Sequence, residues 1–168
     1  MSKSYTFKIE SSEINTTVVT DESKLECVLK LLFSKIKPLP TTFHRVVGLG
    51  IEKSFSSKTY GNEPTIMFEK VAVLKLCAEN DCLIVHLQQF KHIPICLAKF
   101  LDVSDIMVVG VGIKQNLCDL RRDYGIQCRN AVFELGDLAV GFKKNPVLSS
   151  FTLPSLYKFV QTFIAIVS

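Results

Sequence analysis

Two short stretches, Val46-Val47-Gly48-Leu49-Gly50-Ile51 and Ile106-Met107-Val108-Val109-Gly110-Val111-Gly112, are apolar without alternation. A strand with one wet face alternates apolar and polar residues, whereas a strand covered on both faces does not. Both stretches therefore read as central strands of a sheet packed on its two sides. That requirement restricts the chain to a layered α/β architecture.

The remaining segments fit around these strands. Tyr5, Phe7 and Ile9 alternate with polar residues, and a polar Ser11-Ser12-Glu13 turn precedes Ile14, Val18 and Val19, which predicts an N-terminal hairpin. Thr20-Asp21-Glu22 opens a helix with an acidic first turn. Leu25, Val28, Leu29, Leu32 and Phe33 continue it, and Pro38 and Pro40 stop it. Ser54 to Lys70 is polar, contains Gly61 and Pro64, and reads as a loop. Val71–Cys77 and Cys82–Leu87 read as two strands joined by the turn Ala78-Glu79-Asn80-Asp81. Pro94 starts a short helix through Leu101, and a second helix covers Lys114 to Asp123. Ala131–Phe133 is a short strand, and Leu135–Val140 opens a helix. Lys143–Ser150 is a linker, and Leu153–Phe163 forms a last helix.

A chain of 168 residues with 48% hydrophobic and 21% charged residues builds one core and needs no staples. The six cysteines form no C-x-x-C pair and mostly sit in apolar stretches, so they read as reduced, buried small hydrophobes. Met1–Glu10 has no signal-peptide pattern, and Phe159–Val167 is too short to span a bilayer. These points predict a nuclear or cytoplasmic protein with no membrane partner. The net charge of +4 permits contact with nucleic acid without requiring it.

Three segments in order carry a resemblance: Val46–Glu52, Val71–Leu87, and Val109–Ile113 with Leu120-Arg121-Arg122-Asp123-Tyr124-Gly125. They resemble the Werner-type 3′–5′ exonuclease domain of the DEDD family, which reads V-G-L-D-x-E, V-A-L-x-Q-L-C and V-G-V-G-I followed by L-x-R-D-Y/F-G. Val132-Phe133-Glu134-Leu135 resembles its later V-x-D/E-L. The resemblance implies an α/β fold of the ribonuclease-H-like type, a mixed sheet with helices on both faces. It implies one domain over residues 1–168 that lacks the C-terminal part carrying the last family motif.

The family cuts phosphodiesters with two divalent ions, Mg or Mn, set roughly 3.5–4 Å apart. Four carboxylates hold these hard cations. Here Gly50 stands where the family has the first acid, Glu52 is retained, and Asn116 stands at the third position. Asp119 follows Asn116 at i+3 and is a candidate substitute. Tyr157 and Gln161 have part of the last motif's spacing, but in the wrong helix. The resemblance thus implies a nucleic-acid-binding domain with lost or impaired hydrolysis, retaining one of four metal-binding acids. Its partners would be a single strand or a duplex 3′ end, touched by Lys53 and Lys58.

Two other readings stay open: an active metal-dependent 3′–5′ exonuclease, and a protein-interaction or homo-oligomeric scaffold on the same fold. For several residues a plain structural reading competes with a functional one. Gly48, Gly110 and Gly112 serve either nucleotide approach or close packing, and packing is the commoner use. Arg121 and Arg122 pair locally with Asp123 by default. His86 reads as a core histidine. Tyr60, Phe90 and His92 are candidates for base stacking.

Overall fold

The computed structural model describes residues 2–9, 12–38, 45–58 and 66–143. The predicted linker after Lys143, the last helix, Tyr60, Tyr157 and Gln161 lie outside them.

Within the described residues the chain is α/β, with seven strands in one mixed sheet and four α-helices. The strands are β1 (Ser2–Ile9), β2 (Ser12–Val19), β3 (Arg45–Lys58), β4 (Ile66–Ala78), β5 (Asp81–His86), β6 (Ile106–Gly110) and β7 (Ala131–Glu134). The helices are α1 (Glu22–Lys35), α2 (Ile95–Leu101), α3 (Ile113–Tyr124) and α4 (Leu135–Lys143). The sheet runs β1-β2-β5-β4-β3-β6-β7. β1/β2, β3/β4 and β4/β5 are antiparallel, while β2/β5, β3/β6 and β6/β7 are parallel. No described helix is long and apolar enough to cross a membrane.

Local chemistry sets the helix ends. The Asp21 carboxylate accepts from Lys24 N–H at 3.1 Å and caps α1. Leu25, Leu29 and Leu32 then recur on one stripe and are buried. Gly125 ends α3 at φ +68°, the left-handed conformation that favours glycine.

The central strands show how the core is sided. Val47, Leu49, Leu74, Leu76, Leu83 and Val85 are buried in one cluster with the apolar residues of α1, α2 and α3. Alternation sends the neighbours of these strand residues to the other face. Register joins them into a row across all seven strands: Tyr5, Thr16, Cys82, Cys77, Gly48, Val109 and Phe133. α4 packs in a separate small cluster, where Ala139 meets Val111, Leu135 and Val140.

Two sequence expectations need correction. Ser54–Lys70 is not a loop throughout: β3 continues to Lys58 and β4 begins at Ile66, pairing Phe55 with Glu69 and Ser57 with Met67. The ribbon is wet, with Phe55, Ile66 and Met67 exposed, so it shows no burial pattern to read. The cysteines are also not all reduced and buried. The two-residue turn Glu79-Asn80 sets Cys77 opposite Cys82, and the two are joined in a disulfide. Cys27 and Cys118 are exposed.

The register shifts between Glu52 and Lys53, which lie opposite Val73 and Val71. Such a bulge releases ladder hydrogen bonds that need other partners. Val71 N–H donates to Asp123 at 2.8 Å, and the Tyr124 hydroxyl donates to Val71 C=O at 2.5 Å. The Asp-Tyr end of α3 therefore stitches the helix to the bulged strand. Burial opposes the charge on Asp123, yet the Arg122 guanidinium and the Val71 N–H hold its carboxyl below the usual range. Burial pushes the Tyr124 hydroxyl up to about 12.

Candidate functional site

Gly50 and Glu52 leave β3 on the face turned away from α1, α2 and α3, since Leu49 between Gly48 and Gly50 points into the helix-covered core. Lys75 of β4 is the register partner of Gly50. A Cβ built on Gly50 would stand 3.4 Å from Lys75 Cε. The Lys75 ammonium goes on to donate to Glu52 Oε1. The lysine thus lies over the position of the missing acid and brings a positive charge to the retained one. Glu52 is 65% exposed, so the pair is of the surface kind, worth about 0–1 kcal/mol.

Asn116 sits in the first turn of α3. Its Nδ2 donates to Val111 C=O at 3.2 Å, so the amide fastens the β6–α3 junction. A carboxylate could not make that bond, because it has no proton to donate. Gly110 belongs to the same junction: a Cβ there would fall 2.4 Å from Leu49 C=O, which no side chain tolerates. Gly112 follows at φ +61°.

Glu134 is a site residue that sequence reasoning left without a role. Its two carboxylate oxygens accept from Gly112 N–H at 2.9 Å and Ile113 N–H at 3.1 Å. A helix N-terminus offers its free N–H groups to anions. Here an internal carboxylate fills that place. The signal available in sequence was an acid at the end of a strand next to the one that feeds the helix.

Asp119 is not brought to Glu52. Its side chain is 1% exposed, and Lys53 Nζ stands 2.6 Å from Oδ2. Arg122 lies 2.7 Å from Oδ1, and Gln115 donates to it at 3.2 Å. Lys53 and Glu52 are consecutive in β3 and so emerge on opposite faces. The Lys53 ammonium holds the Asp119 carboxyl below the usual range against the effect of burial, and Asp119 in turn raises Lys53. Lys53, a candidate phosphate contact, is thus engaged inside the protein, with Glu69 3.8 Å away as well. Lys58 closes β3 opposite Ile66, and its side chain lies outside the described residues.

The donor set does not fit two hard cations. Gly50 supplies no oxygen, Glu52 is paired with Lys75, the Asn116 amide is turned to a carbonyl, and Asp119 is held elsewhere by cations. Among the described residues no group of three or more His, Cys, Asp or Glu is placed to hold a metal ion.

Comparison with solved structures bears on this face. The crystal structure of the EXD2 exonuclease domain aligns at a TM-score of 0.60 and 22% identity, over 82% of this chain and 64% of that one. The same domain soaked in Mn and GMP aligns at 0.59 and 22%, over 82% and 65%. The chain has the fold of these exonuclease domains, of the ribonuclease-H-like kind. The catalytic core of RRP6 from Trypanosoma brucei, crystallised as a C496S mutant, aligns at 0.55 and 14% identity, over 81% of this chain and 32% of that one. This chain therefore spans just under two-thirds of the length of the first EXD2 structures. No protein-family model and no curated protein sequence matches it.

Proposed function

We propose that this chain is a degenerate domain of the Werner-type DEDD exonuclease kind, which binds nucleic-acid 3′ ends or single strands and hydrolyses phosphodiesters poorly or not at all. One observation carries the reading: Lys75 covers Gly50 and pairs with Glu52. In a two-metal mechanism each divalent ion clamps an oxygen of the scissile group. A lysine supplies a single positive charge and no such coordination. The family metals, Mg or Mn, have one carboxylate left to meet, since Gly50 and Asn116 supply none.

The net charge of +4 supports a weak contact with phosphates that falls steeply with salt. A nuclear or cytoplasmic setting suits such a partner.

The test is incubation of the purified chain with an end-labelled single strand and Mg²⁺ or Mn²⁺, beside Glu52→Ala. The reading predicts intact strand in both, with binding that weakens as salt rises. Stepwise shortening that disappears in Glu52→Ala would establish an active exonuclease instead.

A specific observation favours a second reading, an interaction or homo-oligomeric scaffold. Tyr5 and Phe7, with ring centroids 6.2 Å apart, are 45% and 51% exposed on the edge strand β1. Single isolated apolar residues on a surface are ordinary, whereas adjacent rings on an exposed edge strand favour contact with a partner. Light scattering of the purified chain separates this reading: a mass near twice 18.8 kDa supports it.

A further inference from the structure

We propose that Cys77 and Cys82 form a reversible thiol–disulfide modification site on the sheet face turned away from α1, α2 and α3, exchanging with small thiols. The pair is built by the hairpin rather than by the bond. β4 and β5 are in register from Val73–His86 to Ala78–Asp81, and Cys77–Cys82 is one rung of that ladder. Their Cα atoms stand 4.2 Å apart, close to the spacing of a non-hydrogen-bonded antiparallel rung, where side chains approach most nearly. The two sulfurs are therefore neighbours in either redox state.

The bond closes a small ring, five residues apart in sequence, on strands that already pair. A short ring constrains the unfolded chain less than a long one does. Structural disulfides close long loops or brace small cores, and this one does neither. Both residues are half-buried rather than enclosed. Small thiols therefore have access. Burial pushes the Cys96 and Cys128 thiols up, which makes them poor competitors as thiolates.

The exchange balances with a glutathione-class couple. The Cys77 and Cys82 thiols give two electrons and two protons to RSSR, leaving the protein disulfide and two RSH. In the reverse direction an RS⁻ attacks one sulfur, and a second RSH resolves the mixed disulfide. The modification reaches the candidate site through β4. Lys75 lies two residues from Cys77 on the same strand face, and Cys77 Cβ would be 3.8 Å from a Cβ on Gly48. Oxidation pins the strand that carries Lys75 to β5.

The test uses the full chain in glutathione buffers of graded ratio, without denaturant. Free thiols are alkylated and located by mass spectrometry. On oxidation Cys77 and Cys82 are expected to lose alkylation together without gaining glutathione mass, whereas the exposed Cys27 and Cys118 would lose it only with that added mass. Amide exchange at Leu76 and Leu83, the neighbouring hydrogen-bonded rung, should slow at least threefold on oxidation, and Cys77→Ala should abolish that difference. Six thiols at every ratio, a bond that opens only in denaturant, or exchange indifferent to oxidation would each overturn the proposal. Since the wild-type chain alone supplies the two redox states, a misfolded variant does not decide the outcome.

Discussion

Lys75 and Gly50 are register partners on β4 and β3, and Lys75 Cε would lie 3.4 Å from a Cβ on Gly50. That contact is at ordinary van der Waals distance, so position 50 tolerates a Cβ. The double variant Gly50→Asp, Lys75→Gln puts two carboxylates on one face of β3 and should gain a Mn²⁺ site that the wild type lacks. At a tenfold excess over Kd, ligand binding stabilises by about 1.4 kcal/mol, or roughly 3–5 °C in a domain of this size. Thermal melts with and without MnCl2 should show that shift in the double variant and none in the wild type.

Asn116→Asp alone should destabilise. It replaces the amide that donates to Val111 C=O with a group that sets oxygen against oxygen. Loss of the bond costs about 1 kcal/mol. Urea unfolding should show a lower midpoint with an unchanged slope.

Asp119→Asn tests the pairing at the β3–α3 contact. The buried carboxylate loses its charge toward Lys53 and Arg122, a cost of about 1–3 kcal/mol at neutral pH. Its folded-state pKa is lowered, so this stability is present above the unfolded aspartate value of about 3.9 and is lost as pH falls through the folded value. The gap between wild type and variant should be full above about pH 5 and shrink steadily below about pH 4.

Glu134→Ala should weaken the start of α3. Two N–H groups, on Gly112 and Ile113, lose their acceptor. Removing a helix cap costs about 0.5–2 kcal/mol. Glu134→Gln keeps one acceptor oxygen and should lose less in the same urea titration.

Most of the fold was legible because periodicity carries it. Val46–Ile51 and Ile106–Gly112 read as central strands and correspond to β3 and β6, inside the sheet though buried on one face and half-buried on the other, and Asp21 read as part of a helix start and is its cap. The β3–β4 ribbon was hidden because both its faces are wet, which leaves serines and lysines without a pattern. At the site, the sequence showed that Gly50 and Asn116 lack carboxylates. It could not show that Lys75 fills the gap, because that depends on register between strands far apart in the chain. The position of Asp119 likewise turned on strand facing, since consecutive Glu52 and Lys53 point to opposite sides. Cys77 and Cys82 were within reach: the Ala78–Asp81 turn, followed one rung outward, sets them opposite each other.

The most direct test is a crystal of the wild-type chain soaked in MnCl2, with anomalous difference density examined around Glu52. An ammonium at Glu52 predicts no manganese peak there, with Lys75 Nζ in hydrogen-bonding contact with the carboxylate. Two peaks roughly 3.5–4 Å apart, ligated by Glu52 and with Lys75 displaced, would contradict the account.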